Sequence, residues 1–385
     1  MNALWYYAIG FIVVWVLALL FRKQLKIDIE GPLLMRKTTR LRGFIDSVAN
    51  KSPRFWRWTM NIGIPVSVFF MGLMVYALVL SLKIMFNSPA VAIVLPGVDI
   101  PGSPIFVPLG YGIIALAILM VVHEFGHGII SRVEGVKIKS IGVLMLAILP
   151  GAFVEPDEED VKKSSRISKL RIYAAGSTFN LIVALIAFLI MTGMGTFLID
   201  PSFHSDGMEI TSVVTNSPST GILSTGMVIE SINGYTVKDT TDFMQALNQT
   251  TIGQTVTFQT DKGTYTVKTG PNPTNSSKAY VGVRSQSHLV VNEGVSKSFG
   301  NLVPWIVFPV KDLLYWIFLL NFLVGTFNLL PMKPLDGGLI FEELLRYKLP
   351  EDKVKLIVTN VSWILIAIVV VLVVYGTVPG ILKMI

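Results

Sequence analysis

Residues 109–130 read LGYGIIALAILMVVHEFGHGII, an apolar stretch that contains two histidines and one glutamate. A membrane-spanning helix needs about 20 predominantly apolar residues, and this stretch is long enough. Ionisable side chains inside a spanning segment are energetically costly and usually functional. The stretch therefore predicts a membrane helix that also carries a chemical site.

The rest of the 385-residue chain contains five more apolar stretches of similar length. Hydrophobic residues make up 52% of the sequence and charged residues only 15%, against about 25% charged residues in an average soluble domain. There is no cysteine, which excludes disulfides, thiolate catalysis and cysteine-ligated zinc. We predict a polytopic α-helical membrane protein with about six transmembrane helices. The predicted spans are 4–21, 62–86, 109–130, 172–197, 313–330 and 356–378.

The distribution of lysine and arginine predicts the orientation of these helices, because basic residues collect in cytoplasmic loops. Segments 22–57 and 132–169 are rich in both residues, whereas 87–108 contains neither. We therefore expect the chemical site near the cytoplasmic side, and 200–301 and both termini on the extracytoplasmic side. The same bias accounts for the net charge of +7. We expect the lipid bilayer as a partner and no nucleic acid.

Two parts of the sequence do not fit a simple series of spans. Residues 140–154, SIGVLMLAILPGAFV, are apolar but too short to span, which predicts a re-entrant hairpin or an interfacial segment. The polar region 200–301 contains short β-type runs between glycines, which predicts a small inserted β-rich domain. The predicted organisation is a membrane part at 1–198, the inserted domain at 200–290 and a second membrane part at 300–385.

The sequence His123-Glu124-Phe125-Gly126-His127 matches the H-E-x-x-H pattern. Residues four apart share one face of a helix, so the two imidazoles can bind one Zn²⁺. Glu124, beside the first ligand, is placed to act as the general base for an attacking water. The alternative is structural: the histidines would form hydrogen bonds to neighbouring helices, with Glu124 as their partner.

A zinc hydrolase needs a third protein ligand and an open coordination position. The fifth predicted span is followed by PMKPLDGG, residues 331–338, which brings Asp336 to the same side of the membrane as His123 and His127. Asp-Gly is also a common turn dipeptide. From these residues alone, Asp336 is equally well interpreted as the third ligand or as part of a helix-ending turn.

Together, HEFGH at 123–127 and FNLLPMKPLDGG at 327–338 resemble the site-2 protease family of intramembrane zinc metalloproteases. The family pattern is H-E-x-x-H on one helix and N-x-x-P-x-x-x-L-D-G on a later one, and both are complete here. AILPGAFV at 147–154 is similar to the family's membrane re-entrant β-hairpin. AGSTFN at 175–180 is similar to its A-G-P-x-x-N element, with Ser177 in place of the proline.

The resemblance implies an intramembrane zinc metalloendopeptidase that cleaves single-pass membrane proteins already cut by another protease. It implies zinc bound by three residues and a general base next to the first of them. It also implies two asparagines that position the substrate backbone or stabilise the oxyanion, although hydrogen bonds between helices are an equal alternative for them. The hairpin is expected to bind an unwound substrate by strand addition. The residues are His123, His127 and Asp336 for zinc, Glu124 as base, Asn180 and Asn328 as the asparagines, and Gly151, Ala152 and Phe153 for substrate.

The inserted region resembles a PDZ domain of the bacterial protease type. Residues 207–214, NSPSTG at 216–221 and GMVIESING at 226–234 carry this resemblance. The usual pattern has S-P-A and G-D-x-I-x-x-I-N-G, from which Ser219 and Met227 depart. The resemblance implies a PDZ-like domain that admits only substrates with a trimmed outer domain, or that binds a newly exposed C-terminus.

Two non-enzymatic functions compete with proteolysis. Six helices with intramembrane histidines and Gly/Pro interruptions also suit a metal transporter or a metal-binding membrane scaffold. A receptor with a peptide-binding outer domain and structural histidines is the other alternative. Zinc stoichiometry, combined with cleavage of a model single-pass helix and a Glu124 variant as control, separates the three.

Overall fold

Long helices account for most of the chain in the computed structural model, which describes residues 3–85, 94–100, 103, 105–146 and 149–382. Much of 87–108 therefore lies outside the described residues. The described helices are α1 (Ala3–Leu20), α2 (Arg22–Leu25), α3 (Arg42–Lys51), α4 (Pro53–Ile84), α5 (Leu109–Val133), α6 (Glu158–Lys163), α7 (Arg166–Met194), α8 (Asp200–Ser202), α9 (Thr240–Asn248), α10 (Glu293–Phe299), α11 (Val307–Phe327), α12 (Asp336–Leu345) and α13 (Glu351–Leu382). A π-helical turn at Gly195–Ile199 follows α7, and a 3-10 helix at Val303–Ile306 precedes α11.

Five segments of the described chain are helical, long and apolar enough to cross a membrane. The chain is therefore a polytopic helical membrane protein. The sixth predicted span, at 4–21, falls in α1, of which the described residues 7–20 are apolar, so the count of six spans stays a prediction. Several helices extend beyond the predicted apolar stretches into charged sequence; α4, for example, begins at Pro53, the favoured residue for a first helical turn. The five segments are Pro53–Ile84, Leu109–Val133, Arg166–Ser202, Val303–Phe327 and Glu351–Val378.

The β-strands form three antiparallel groups. A four-stranded sheet has the order β1-β2-β3-β4, a second sheet has the order β12-β5-β6-β8-β9 with β7 paired to β6, and β10 pairs with β11. The strands are β1 (Asp28–Glu30), β2 (Leu33–Thr38), β3 (Ile138–Leu146), β4 (Leu149–Pro156), β5 (Phe203–Val213), β6 (Val228–Ile232), β7 (Tyr235–Thr236), β8 (Thr255–Thr260), β9 (Gly263–Lys268), β10 (Gly270–Asn272), β11 (Asn275–Tyr280) and β12 (Val283–Val291).

Strands β3 and β4 form an antiparallel hairpin over the apolar segment 140–154. Their register pairs Gly142 with Phe153 and Leu144 with Gly151. Strand β2 pairs with the other side of β3, so β4 is the edge strand of this sheet among the described residues. The hairpin ends at α6, where the backbone N–H groups of Asp160 and Glu159 donate to the Asp157 carboxylate and hold its pKa below the usual range.

The chain divides into two compact units. The first comprises Met1–Met191 with Lys311–Ile385, and the second comprises Thr192–Val310. In the first unit, a core of buried side chains joins α3, α5, α7, β3 and α12; Ile45, Ile130 and Ile340 are fully buried there. This core fixes the part of α5 that carries the H-E-x-x-H residues.

The second unit is β-rich, as the sequence predicts. The β-type runs of the sequence lie at 209–215, 227–232, 255–259 and 264–268, and the sequence also favours a short helix at 240–247. Strands β6, β8 and β9 match the last three runs and α9 matches the helix, whereas β5 overlaps the first run but begins at Phe203. Asp239 begins this helix by accepting a hydrogen bond from the backbone N–H of Asp242. The core of the second unit includes three fully buried side chains, Phe258, Ile229 and Val256.

Candidate metal centre

Helix α5 places His123 and His127 on one face, one helical turn apart. Their Nε2 atoms lie 3.3 Å from each other. Two imidazole nitrogens that converge at this distance can bind one cation through their lone pairs. The side chains come from a buried part of the first unit, with only 12% and 16% of their surface exposed.

Asp336 reaches the same point from the far end of the sequence. Its Oδ2 lies 3.4 Å from the Nε2 atoms of both His123 and His127. The return of the chain after α11 makes this possible: the Gly337 N–H donates to the Asn328 carbonyl at 2.8 Å. A Cβ at Gly337 would overlap the backbone carbonyl of Leu329, so the tight return requires glycine.

The three ligand atoms form a triangle with edges of 3.3, 3.4 and 3.4 Å. A tetrahedral zinc site with bonds of about 2.0–2.1 Å has ligand–ligand separations of about 3.3–3.4 Å. The triangle therefore matches one face of such a tetrahedron. Two imidazoles and one carboxylate, with the fourth corner open, are the donor set of catalytic rather than structural zinc sites.

Gly176 of α7 leaves room for an ion beside this triangle. A Cβ at this position would lie 2.5 Å from His123 Nε2 and closer still to His127 Nε2. Any side chain would thus enter the space between the two imidazoles, although the position is buried and helical. The donor set and the missing side chain both fit a bound metal.

Two of the ligands are also held from behind by α7. His127 Nδ1 lies 2.8 Å from the Ile172 carbonyl oxygen, so Nδ1 carries the proton and Nε2 keeps its lone pair for a metal. The Ser177 hydroxyl donates to Asp336 Oδ2 at 3.2 Å. Ser177 is completely buried.

The remaining ligand contacts an asparagine. The side-chain amide of Asn180 lies 3.2 Å from His123 Nδ1. Asn180 is fully buried, and the other end of its amide is without a hydrogen-bond partner among the described residues. Asn180 thus contacts a metal ligand directly, an arrangement that its position in the sequence did not predict.

Glu124 lies next to the first ligand and contacts the hairpin. The Val154 backbone N–H donates to Glu124 Oε2 at 2.9 Å. This bond orients the carboxylate and also shows which side of β4 faces it. Because main-chain groups of alternate residues in an antiparallel strand point the same way, the N–H and C=O of Ala152 also face away from β3.

A groove between α5 and the strands β2, β3 and β4 leads to Glu124. It consists of two adjoining cavities of about 430 and 280 Å³, which share Arg36, Val121, Val143 and Ala152. We call this the hairpin groove. The smaller cavity reaches Glu124, and the expected substrate residues Gly151, Ala152 and Phe153 line one cavity or both.

A separate cleft of about 420 Å³ reaches the metal ligands from another direction. We call it the ligand cleft. His127 and Asp336 line it, as do the charged residues Glu158 and Lys162 of α6. Val154 lines both this cleft and the hairpin groove. The site is thus approached by an apolar route beside Glu124 and by a more polar route beside two of the ligands.

The predicted metal ligands and Glu124 lie together, whereas Asn328 contacts this centre through its backbone. Within the described chain, His123, His127 and Asp336 form a three-residue cluster with metal-ligand geometry, and Glu124 adjoins it. Asn328 contributes its backbone carbonyl to the turn that carries Asp336. The other two histidines, His204 and His288, lie in the second unit and contact Asn292 and Asp206 respectively.

The sequence did not predict that the Ile172 carbonyl holds His127 or that Gly176 leaves space beside the ligands. A backbone carbonyl leaves no signature in a sequence, because every residue has one. The glycine did have a signal, since it lies in the AGSTFN element. Its function becomes clear only when α5 and α7 are packed together.

Comparison with protein families supports the same chemistry. The sequence model of peptidase family M50 matches residues 111–369. This range includes both ends of the cluster, from the H-E-x-x-H residues to Asp336.

Three relatives illustrate the range of similarity. An uncharacterized protein of Methanocaldococcus jannaschii is 28% identical over 87% of this chain and 85% of its own. A putative zinc metalloprotease of Clostridium perfringens is 26% identical over 61% of this chain and 87% of its own. A membrane-bound transcription factor site-2 protease homolog of Arabidopsis thaliana is 28% identical over 36% of this chain and 27% of its own.

Two solved structures are similar to part of the chain. The PDZ domain of an SdrC-like protein from Listeria innocua is 23% identical, with a TM-score of 0.20 over 22% of this chain and 97% of that domain. The corresponding domain from Listeria monocytogenes is 21% identical, with a TM-score of 0.19 over 21% of this chain and 87% of that domain.

Proposed function

Because this chain belongs to peptidase family M50, we propose that it hydrolyses peptide bonds within or near the transmembrane segments of other membrane proteins. The chain is a multi-pass membrane protein and a zinc metalloprotease of the site-2 protease type. The observation that carries the proposal is the triangle of two imidazole nitrogens and one carboxylate oxygen, with Glu124 beside it.

His123, His127 and Asp336 would hold the zinc. Zinc bound there supplies a Lewis acid that polarises the scissile carbonyl and makes water a stronger acid. Glu124 is the general base: its Oε2 is held by the Val154 N–H, and no hydrogen bond from the described residues occupies Oε1. Glu124 accepts the proton of the attacking water and then passes it to the leaving amine.

The hairpin groove would bind the substrate. A transmembrane helix hides its carbonyls in internal hydrogen bonds, so it must unwind before hydrolysis. The free edge of β4 offers replacement bonds through the N–H and C=O of Ala152, close to Glu124. Gly151, Ala152 and Phe153 thus bind the substrate by strand addition, and the ligand cleft admits water from the side lined by Glu158 and Lys162.

Asn328 would contact the substrate, because it follows α11 with a half-buried side chain and its backbone carbonyl accepts from the Gly337 N–H, next to Asp336. An amide donor there can stabilise the oxyanion. Asn180 was expected to act in the same way, but its contact with a metal ligand, His123, favours a role in holding that ligand.

We further propose six spans, with the hairpin re-entrant and the metal centre near the cytoplasmic side. This orientation rests on the basic segments 22–57 and 132–169. The inserted domain at 200–290, between the membrane parts at 1–198 and 300–385, is PDZ-like and extracytoplasmic, as are both termini. Its role is to select single-pass substrates whose outer domains another protease has already removed.

Cleavage by the full-length protein in liposomes tests the proposal. The assay uses a model single-pass substrate, with zinc content measured on the same preparations. We expect cleavage that a chelator abolishes and zinc restores. Glu124→Gln should retain the zinc and lose about 100-fold or more of the activity, since it removes the proton acceptor.

Near-normal activity of Glu124→Gln would show that Glu124 is not the base. Failure of the zinc-loaded wild-type protein to cleave any of several single-pass substrates would instead contradict proteolysis itself. Zinc binding without cleavage is the result that a transporter or scaffold would give.

A further inference from the structure

One face of α7 contacts all three metal ligands. Ile172, Gly176 and Asn180 follow each other at intervals of four residues, so they lie along one stripe of the helix, with Ser177 beside it. The contacts described above join Ile172 to His127, Ser177 to Asp336 and Asn180 to His123. Each ligand therefore has a hydrogen-bond partner on the same helix, and Gly176 lies between these partners.

We propose that this face of α7 positions the metal ligands, with Ser177 and Asn180 as positioning residues for Asp336 and His123. The proposal rests on the proposed metal site and deepens it. A ligand side chain that is held in its binding rotamer loses little freedom when the metal arrives. Residues that hold ligands from behind typically contribute about 10–100-fold in metal affinity.

The chemistry of imidazole determines how Asn180 must act. When Nε2 of His123 binds a metal, the neutral ring carries its proton on Nδ1 and needs an acceptor there. The Asn180 amide can supply one by turning its Oδ1 towards Nδ1, an orientation related to its alternative by a half-turn of χ2. Asn180 then fixes both the tautomer and the direction of the His123 ring, as the Ile172 carbonyl does for His127.

Ser177 makes a contact that the family pattern does not provide. In the family pattern this position is proline, which has no side-chain donor. Here a fully buried hydroxyl donates to Oδ2 of Asp336, the same oxygen that faces both imidazoles. The bond restrains a carboxylate at the first residue of the short helix α12, directly after the return from α11.

The matched control is the next residue of the same helix. Thr178 is also buried, but its hydroxyl faces Gly63 of α4 rather than the metal ligands, and it has no hydrogen-bond partner among the described residues. Ser177→Ala and Thr178→Val each delete one buried hydroxyl. Only the first deletion removes a contact to a ligand.

The experiment measures zinc affinity of the full-length protein by competition with a chromophoric chelator. The visible spectrum of the cobalt(II)-loaded protein is recorded as a second readout. We expect Ser177→Ala and Asn180→Leu to bind zinc about 10–100-fold more weakly than wild type and to change the cobalt bands. Thr178→Val should match wild type in both measurements.

Asn180→Asp separates the two roles considered for Asn180. Aspartate keeps an acceptor for His123 Nδ1 but has no amide N–H, so positioning predicts that zinc affinity and cleavage are both retained. If Asn180→Asp binds zinc normally and fails to cleave, the amide N–H donates to the substrate and positioning of His123 does not account for Asn180.

Two further outcomes would overturn parts of the account separately. If Ser177→Ala and Asn180→Leu bind zinc as tightly as wild type, α7 does not position the ligands and the proposed function stands. If the wild-type protein itself binds no zinc, the proposed metal site fails, and this inference fails with it.

Discussion

The lack of a Cβ atom at Gly176 leaves space for a metal beside the two imidazoles. A Cβ on this residue would lie between the two imidazoles. We therefore expect Gly176→Ala to lose its zinc and with it all cleavage, while the helix itself is retained because alanine is a better helix former than glycine. Metal analysis of the purified variant checks this.

The matched control for this substitution is Gly195→Ala. A Cβ at Gly195 has nothing within 4 Å, so this variant should keep one full complement of zinc. Gly176→Ala with unchanged zinc content would mean that the metal, if it is bound, lies elsewhere than beside His123 and His127.

At the same scale, the sequence predicted the residues that carry unusual chemistry. His123, Glu124 and His127 stand out because charged side chains are rare in apolar helices. Asp336 could equally be a turn residue from its local sequence; the family resemblance and its distances to the imidazoles favour a ligand role. The hydrogen bonds from Ser177 and Asn180 were not predictable, since they depend on how helices distant in sequence pack.

Among the structural elements, the edge of β4 carries the proposal for substrate binding. Ala152→Pro removes an outward-facing N–H and should lower cleavage about tenfold, because a substrate strand would lose one of its main-chain hydrogen bonds. Ala152→Ser keeps the N–H and serves as control. Zinc content should be the same in both variants.

Equal cleavage by Ala152→Pro and Ala152→Ser would contradict strand addition. Loss of zinc in Ala152→Pro alone would show that the hairpin supports the metal centre rather than the substrate. The assay is the liposome cleavage measurement described above.

A buried charge cluster holds the helices around the site together. The side chain of Glu134, which follows α5, is only 5% exposed; it pairs with Arg57 of α4 at 3.1 Å and with Arg171 of α7 at 3.0 Å. Ser168 donates to its other oxygen. Removing one partner of a buried pair leaves uncompensated charge and costs about 3–5 kcal/mol.

We therefore expect Glu134→Ala to lower the free energy of unfolding in detergent by about 3 kcal/mol, since the arginines are partly solvated. Glu293→Ala, which removes an exposed pair with Lys297, should change it by less than about 0.5 kcal/mol. A similar small change in both variants would show that the cluster does not stabilise the helix packing.

Element types were largely predictable and their ends were not. The apolar stretches and the alternating runs of the inserted region indicate helices and strands through their periodicity. The helices extend further than predicted because helix formation does not stop where hydrophobicity does; α7 starts at Arg166 rather than at 172. The pairing of the hairpin with β2 was missed, since β2 lies in a basic segment more than 100 residues earlier.

At the scale of the whole molecule, the two ends of the inserted β-rich region lie next to each other. Phe203 at the start of β5 and Val291 at the end of β12 are neighbours across the two strands. Replacing the residues between them with a short linker should therefore leave the first unit folded. We expect this deletion variant to keep zinc-dependent cleavage and to accept substrates with intact outer domains that the full-length protein rejects.

Complete loss of zinc-dependent cleavage in a folded deletion variant would contradict a selective role for the inserted unit. Unchanged rejection of substrates with intact outer domains would contradict it as well. Circular dichroism and zinc content establish that the variant is folded.

The most direct test of the account is the position of zinc in a crystal of the full-length protein, located by its anomalous scattering. The account predicts one peak about 2.0–2.2 Å from His123 Nε2, His127 Nε2 and an oxygen of Asp336. A zinc-replete crystal without a peak at this point, or with Asp336 turned away from both imidazoles, would contradict it.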